Sequence, residues 1–302
     1  MTDMDFSNLI DEFQTHLIKQ GKQKSTVESY VRDAKGFLNF TTKVNLAINA
    51  IEPQTLVSYQ AFLQKSGKIN SIRRTLIGVR QFFRFYAKKN KLKSNPLEEV
   101  PIPSRSEQLH PVLKTDEVSK ILGFTETGPC LVKSWRDGSI IALLAYEGIK
   151  VSELIELTWS DFILNKELGS LRVVGNRARI IQLRPDTARR IHTYQKHLLA
   201  HFPKNLYTHL HTYMFIAYKG RDLSKPEPQI TRHGLKFMIY DLGNSINKPK
   251  INSEMLRHHA IGYHLLLGRT PEEIMQHFGL KRAGNIGKHA QLIQQKLPIF
   301  CP

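Results

Sequence analysis

The chain is short of cysteine, of acid and of long apolar runs, and each shortage removes a class of explanation. Only two cysteines occur, Cys130 and Cys301, far apart in sequence. Neither a disulfide framework nor a cysteine zinc site is expected, and a reducing, cytoplasmic compartment is. No apolar stretch approaches the roughly 20 residues that span a bilayer. The opening M-T-D-M-D-F-S lacks a basic region followed by an apolar one, so neither a secretory leader nor a membrane partner is expected. Histidine is plentiful, at 13, but no helical H-E-x-x-H pattern accompanies it, and no metal or other cofactor is expected. Acid is scarce: 26 Asp and Glu face 44 Lys and Arg, a formal charge of +18. That imbalance disfavours a small neutral substrate and favours a polyanion such as nucleic acid.

What is present is mainly helical periodicity, in a chain of 302 residues that has room for two domains. The spacing predicts a helix over residues 4–20, with Phe6, Leu9, Ile10, Phe13, Leu17 and Ile18 on one face. A second, with Ser25 as N-cap, runs to about residue 41; a third, from near Pro53, includes Leu56, Val57, Tyr59 and Phe62. A fourth covers residues 69–89 with Ile72, Leu76, Val79, Phe82 and Phe83 as its stripe. Lys22, Lys24, Arg32 and Lys35 lie on or beside the second helix, and Arg73, Arg74, Arg80 and Arg84 flank the fourth. Residues 65–93 hold no acid, so the field there has one sign. Residues 95–113 carry four prolines and read as an extended connector between a domain at 1–94 and another at 114–302.

The second part begins with helices from Thr115 and over about 134–147. Residues 169–183 alternate as a hairpin with Gly175-Asn176 at the bend, and residues 186–202 return to helix. A helix over 229–241, capped by Thr231, places Arg232, His233 and Lys236 near its N-terminal end, suited to phosphates or base edges. Then comes a helix over 254–267 with Met255, Leu256, Ile261, Leu265 and Leu266, closed by Gly268. A last short helix is capped by Thr270, opened by Pro271, and turns Ile274, Met275 and Phe278 inward. The fold class is therefore mainly α with a small β-hairpin or sheet.

Two segments carry a resemblance. One is Y-E-G-I-K-V-S-E-L-I-E-L-T-W-S-D-F at residues 146–162; the other is L-R-H at 256–258, followed by Gly268 and an amphipathic helix ending in Phe278-Gly279. Both resemble the tyrosine recombinase (phage integrase, Xer-type) family. The resemblance implies an N-terminal four-helix core-binding domain whose second and fourth helices lie along the major groove, and a C-terminal catalytic-type domain. It also implies that the helix over 229–241 enters the major groove, that the two domains close around DNA, and that the tail from about 292 docks on its own domain or a neighbour. By the same resemblance Arg73, Arg74, Arg80 and Arg84 inherit DNA contacts.

The family's catalytic positions are another matter. Arg257 keeps its arginine, but Lys150 stands where the first arginine is expected, Glu254 and Leu280 where two histidines are, and His289 where the nucleophilic tyrosine should be. No tyrosine follows Tyr263, and the hairpin turn holds Arg177 and Arg179 but no lysine. Lysine cannot make arginine's bidentate fork onto phosphate, and arginine is a poor proton donor to a leaving alkoxide. The expectation is a sequence-specific binder of double-stranded DNA (through Lys22, Lys24, Arg32, Lys35, the four arginines above, Lys150, Arg177, Arg179, Arg232, His233, Lys236 and Arg257), without strand cleavage. It would act as a regulator or accessory subunit, as a homodimer or higher oligomer or beside an active relative. Alternatives are an active recombinase using His289, Tyr240 or Tyr263, and an RNA-binding or protein-interaction module.

Overall fold

The computed structural model describes residues 3–281, apart from 66, 91–94, 96, 107–111, 167, 176 and 219–223, together with residue 286. The chain divides into two compact units, Met1–Gln108 and Leu109–Pro302. His289 and the tail from 292, to which a catalytic position and a docking role were assigned, lie outside the described residues.

The first unit is built on α1 (Asp3–Lys19), α2 (Lys24–Lys43), α3 (Pro53–Gln64) and α4 (Ile69–Lys89). Its core is aromatic: Phe13 meets Phe82 edge-on at 5.3 Å, and Phe37 meets Phe83 at 5.6 Å, the geometry that places a positive ring edge on a negative ring face. The apolar stripes are narrower than the periodicity implied. Ile18, Val57 and Phe62 are exposed, the first two about 100° around their helices from the buried Leu17 and Leu56. α2 starts at Lys24 rather than after a Ser25 cap, with Gln23 as an extended residue before it.

The proline-bearing stretch does not hang free over its first half. Leu97 and Val100 are buried in the first unit's core, Asn70 bonds Ser106 in both directions, and Arg73 and Arg80 donate to the carbonyls of Pro103 and Val100. Residues 97–106 are thus stitched onto α4.

The second unit surrounds α6 (Leu131–Ala145), in which Ile140 through Ala145 are fully buried. Against it pack α5 (Thr115–Glu126), α8 (Pro185–His201) and α10 (Ser253–Leu266). A three-stranded antiparallel sheet, β1 (Phe162–Asn165), β2 (Leu168–Val173) and β3 (Arg179–Gln182), extends the expected hairpin by one strand. Leu171, paired with Ile181, and Val173 face inward, while Leu168 and Ile180 face solvent. A short ladder joins β4 (Ala217–Tyr218) to β5 (Pro226–Glu227). The remaining helices are α7 (Val151–Leu154), α9 (Arg232–Ser245) and α11 (Pro271–Phe278). α9 and α11 carry the expected caps, since Thr231 Oγ accepts from Gly234 N at 3.0 Å and Thr270 Oγ from Glu273 N at 3.2 Å. On α10 the expected inward Leu266 is instead exposed.

One glycine decides how the site is assembled. Gly148, between α6 and α7, has φ +63°, and a Cβ there would lie 1.9 Å from the Phe278 ring of α11. The turn that delivers Lys150 and the packing that seats α11 share this residue. Replacing Gly148 by Ala adds a left-handed conformation penalty to an overlap with a fully buried ring. The expected loss is at least about 3 kcal/mol of stability, read from urea unfolding. An unchanged midpoint would contradict this seating of α11.

Candidate nucleic-acid interface

Four charged side chains from three separated stretches meet behind α7. Lys150 caps that helix, its N–H donating to Glu153 Oε2 at 3.0 Å while its ammonium lies 3.4 Å from Glu153 Oε1. From β3, Arg179 places two N–H groups on the same carboxylate, each at 3.0 Å. From α10 comes Arg257, nearly buried, whose Nη2 reaches the Phe278 carbonyl at a long 3.4 Å while its Nε has no hydrogen-bond partner among the described residues. Arg179 Nε donates to the neighbouring His277 carbonyl at 2.7 Å, so the end of α11 orients both guanidinium groups.

The electrostatics follow. Burial pushes the Glu153 carboxyl up, but Arg179, the Lys150 N–H and the two positive charges more than reverse this and hold it below the usual carboxylate range. Burial pulls Lys150 below the ordinary lysine value, with Glu153 opposing and Arg257 adding to the fall. Arg257 is likewise lowered by burial, against the pull of Glu254 and Glu153. Two clustered cations with only partial neutralisation, one carrying an unused donor, make a phosphate-sized sink.

That sink opens into a pocket of about 450 Å³ lined by Lys150, Arg257, Glu254 and, from α9, Arg232, Lys236 and Tyr240. The last three recur every fourth residue and so share one face of α9. The expected sites Lys150, Arg232, Lys236, Glu254 and Arg257 are therefore gathered together. His233 is turned elsewhere: it packs edge-on to Phe237 at 4.5 Å and lines a different pocket. Arg177 and Leu280 line a third pocket, in which Leu280 also packs on the small core of Ile274 and Phe278.

Tyr263 is a packing residue, with Tyr146 at 5.2 Å and the Arg184 guanidinium 4.7 Å from its ring. Tyr240, half exposed, shares the pocket with Arg257. Sequence reasoning passed over Glu153, which binds both Lys150 and Arg179. The signal was present in its position three residues after Lys150, the N3 place of a capping box.

In the first unit, all four expected arginines of α4 have internal partners. Besides the two carbonyl bonds above, Arg74 makes a two-pronged pair with buried Asp33 at 3.0 and 3.1 Å, and Arg84 pairs with Glu98. Arg74 and Arg84 remain about half exposed. Lys22, Lys24, Arg32 and Lys35 are exposed on or beside α2.

Sequence comparison bears on the same two units. Residues 10–90 match the phage integrase N-terminal SAM-like domain, and residues 111–279 match the phage integrase family. The chain belongs to the phage integrase family, the tyrosine recombinases. Among its relatives is the tyrosine recombinase XerD of Listeria innocua, 26% identical over 283 residues that cover 90% of each chain. XerD of Halalkalibacterium halodurans is 27% identical over 281 residues, 90% of this chain and 89% of that one. The fold is shared with XerH site-specific recombinase bound to a palindromic difH substrate (TM-score 0.73, 16% identity, covering 89% of this chain and 77% of that one). It is shared too with a lambda integrase tetramer bound to a Holliday junction (TM-score 0.64, 15% identity, covering 93% and 76%). No helix among the described residues is long and apolar enough to cross a membrane.

Proposed function

We propose that this tyrosine recombinase family member is a cytoplasmic, sequence-specific double-stranded DNA-binding protein that does not cleave its site, acting as a regulator or an accessory subunit. The observation that carries the reading is the composition of the Lys150–Arg257 pocket. Its cations suit a backbone phosphate, while Glu254 lines the same wall. An anion there opposes the charge that a phosphorane develops, whereas cleavage needs that charge stabilised and a leaving oxygen protonated. Arg179 is committed to Glu153 and, as a guanidinium, cannot serve as the acid. Arg232 and Lys236 extend the cationic surface along α9, which presents them to a groove. The exposed α2 cations, with Arg74 and Arg84, supply further phosphate contacts. Binding as a dimer or higher oligomer follows the pattern of the DNA-bound relatives.

A second reading rests on Tyr240, whose ring lines the pocket of Lys150 and Arg257. In it, that hydroxyl is the nucleophile of an altered recombinase. Selection of bound duplexes from a random pool tests the main reading. A reproducible consensus with two-fold symmetry is the expected result; enrichment of no motif, or equal competition by structured RNA, would overturn it.

A further inference from the structure

Outside the lining of the phosphate pocket, three further ionisable side chains converge in a buried setting. Glu147 lies in the turn just after α6, His264 lies on α10 and His277 on α11, and one ligand atom of each falls within 4.8 Å of the other two. Glu147 is 1% and His264 2% exposed, and the ring of Phe278 closes over His264 at 5.1 Å. Neither His264 Nδ1 nor His277 Nε2 has a hydrogen-bond partner among the described residues, and both atoms are buried. Glu147 Oε2 is 3.7 Å from His277 Nε2, beyond hydrogen-bond length. Glu147 Oε1 accepts from the Arg184 N–H at 3.1 Å, and two buried nitrogens beside this carboxylate, without hydrogen bonds among the described residues, are an arrangement that a cation completes.

The surroundings favour a metal over a proton. His264 Nε2 bonds the Tyr146 carbonyl at 2.8 Å, so it carries the hydrogen and leaves the Nδ1 lone pair free. This is the outer contact that orients a metal-binding imidazole. Two imidazoles and one carboxylate form a borderline donor set of the type zinc takes, with a fourth position left over. His277 lines the open pocket shared with Arg177 and Arg179, which provides an entry path. Three positive neighbours, Arg179, Arg184 and Arg269, oppose the ion, and Arg269 does so at the closest range given. The Arg269 guanidinium lies 3.4 Å from His277 Nδ1, adding charge and facing the nitrogen that must hold the proton when Nε2 binds metal.

We propose that Glu147, His264 and His277 bind one divalent transition metal ion of the zinc type, pinning α11 to α6 and α10. Because Arg179 and Arg257 are held by the carbonyls of His277 and Phe278, the ion also steadies Arg257, which lines the phosphate pocket, and Arg179, which holds Glu153. The site is independent of whether DNA is cleaved.

The test uses the full chain, stripped with a chelator and titrated with Zn²⁺ by calorimetry and with Co²⁺ by visible absorption. One ion per chain is expected, with tetrahedral Co²⁺ bands and a raised Tm. Glu147→Gln and His264→Gln should each weaken Zn²⁺ binding at least about tenfold. Arg269→Gln, which keeps all three ligands, removes one opposing charge and offers an acceptor to Nδ1–H, should tighten it, within the range of about 10- to 100-fold seen for outer contacts. Absence of stoichiometric binding by the wild type would overturn the proposal. So would equal binding by wild type and His264→Gln, the mark of a surface histidine site, or an Arg269→Gln affinity no better than wild type.

Discussion

Duplex binding by this chain should weaken about 10³- to 10⁵-fold between 50 and 200 mM salt, the loss that accompanies release of counterions from six to ten phosphates. The 44 Lys and Arg exceed what such a footprint needs, but several of them are held internally. Arg74 is held by Asp33, Arg84 by Glu98, Arg179 by Glu153, and Arg73 and Arg80 by backbone carbonyls. What remains for phosphates is the set exposed on α2 and α9, the pocket pair Lys150 and Arg257, and the outer edges of Arg74 and Arg84. That set is of the size the steep slope requires. Equilibrium binding of a labelled duplex over a salt series measures it, and a tenfold change or less across that range would mean that charge plays a minor part.

Arg257→Ala should lower duplex affinity by about 10- to 100-fold, the worth of one charge-assisted contact made from a mostly dehydrated site. Its Nε has no partner among the described residues and Nη2 has a long one there, so little of the described structure is lost with it. The slope of log affinity against log salt should fall by about one unit. Lys150→Ala should act in the same direction but not additively, because both cations sit in the field of Glu153. Arg74→Ala makes the contrast. It leaves Asp33, 4% exposed, buried without its cation. Since Arg74 is half exposed, the expected stability cost is discounted to about 2 kcal/mol, with a smaller effect on binding. Urea midpoints and duplex titrations on the two variants separate the roles. An Arg257→Ala protein that binds as tightly as wild type would remove the phosphate from the pocket.

Local chemistry explains which parts of the fold could be read ahead. Helix ends with a side-chain cap and a following apolar period, such as Thr231 before α9 and Thr270 with Pro271 before α11, state their boundaries in four adjacent residues. β1 and the β4–β5 ladder do not, because a four-residue strand and a two-residue one leave no alternation to detect and are settled by pairing with distant segments. The site divides in the same way. Lys150 and Arg257 stood out through the motifs around them. That α4's arginines face Pro103, Val100, Glu98 and Asp33 was hidden, since each partner comes from another part of the chain. Glu147, His264 and His277 follow no spacing rule and converge only when α6, α10 and α11 pack.

The decisive experiment offers the protein a duplex nicked close to its selected site, so that any cleaved strand escapes and a covalent intermediate accumulates. Denaturing electrophoresis at protein concentrations that saturate binding should show no protein–DNA adduct. A covalent adduct would contradict the non-cleaving reading outright, and its disappearance in Tyr240→Phe or His289→Phe would name the residue that attacks.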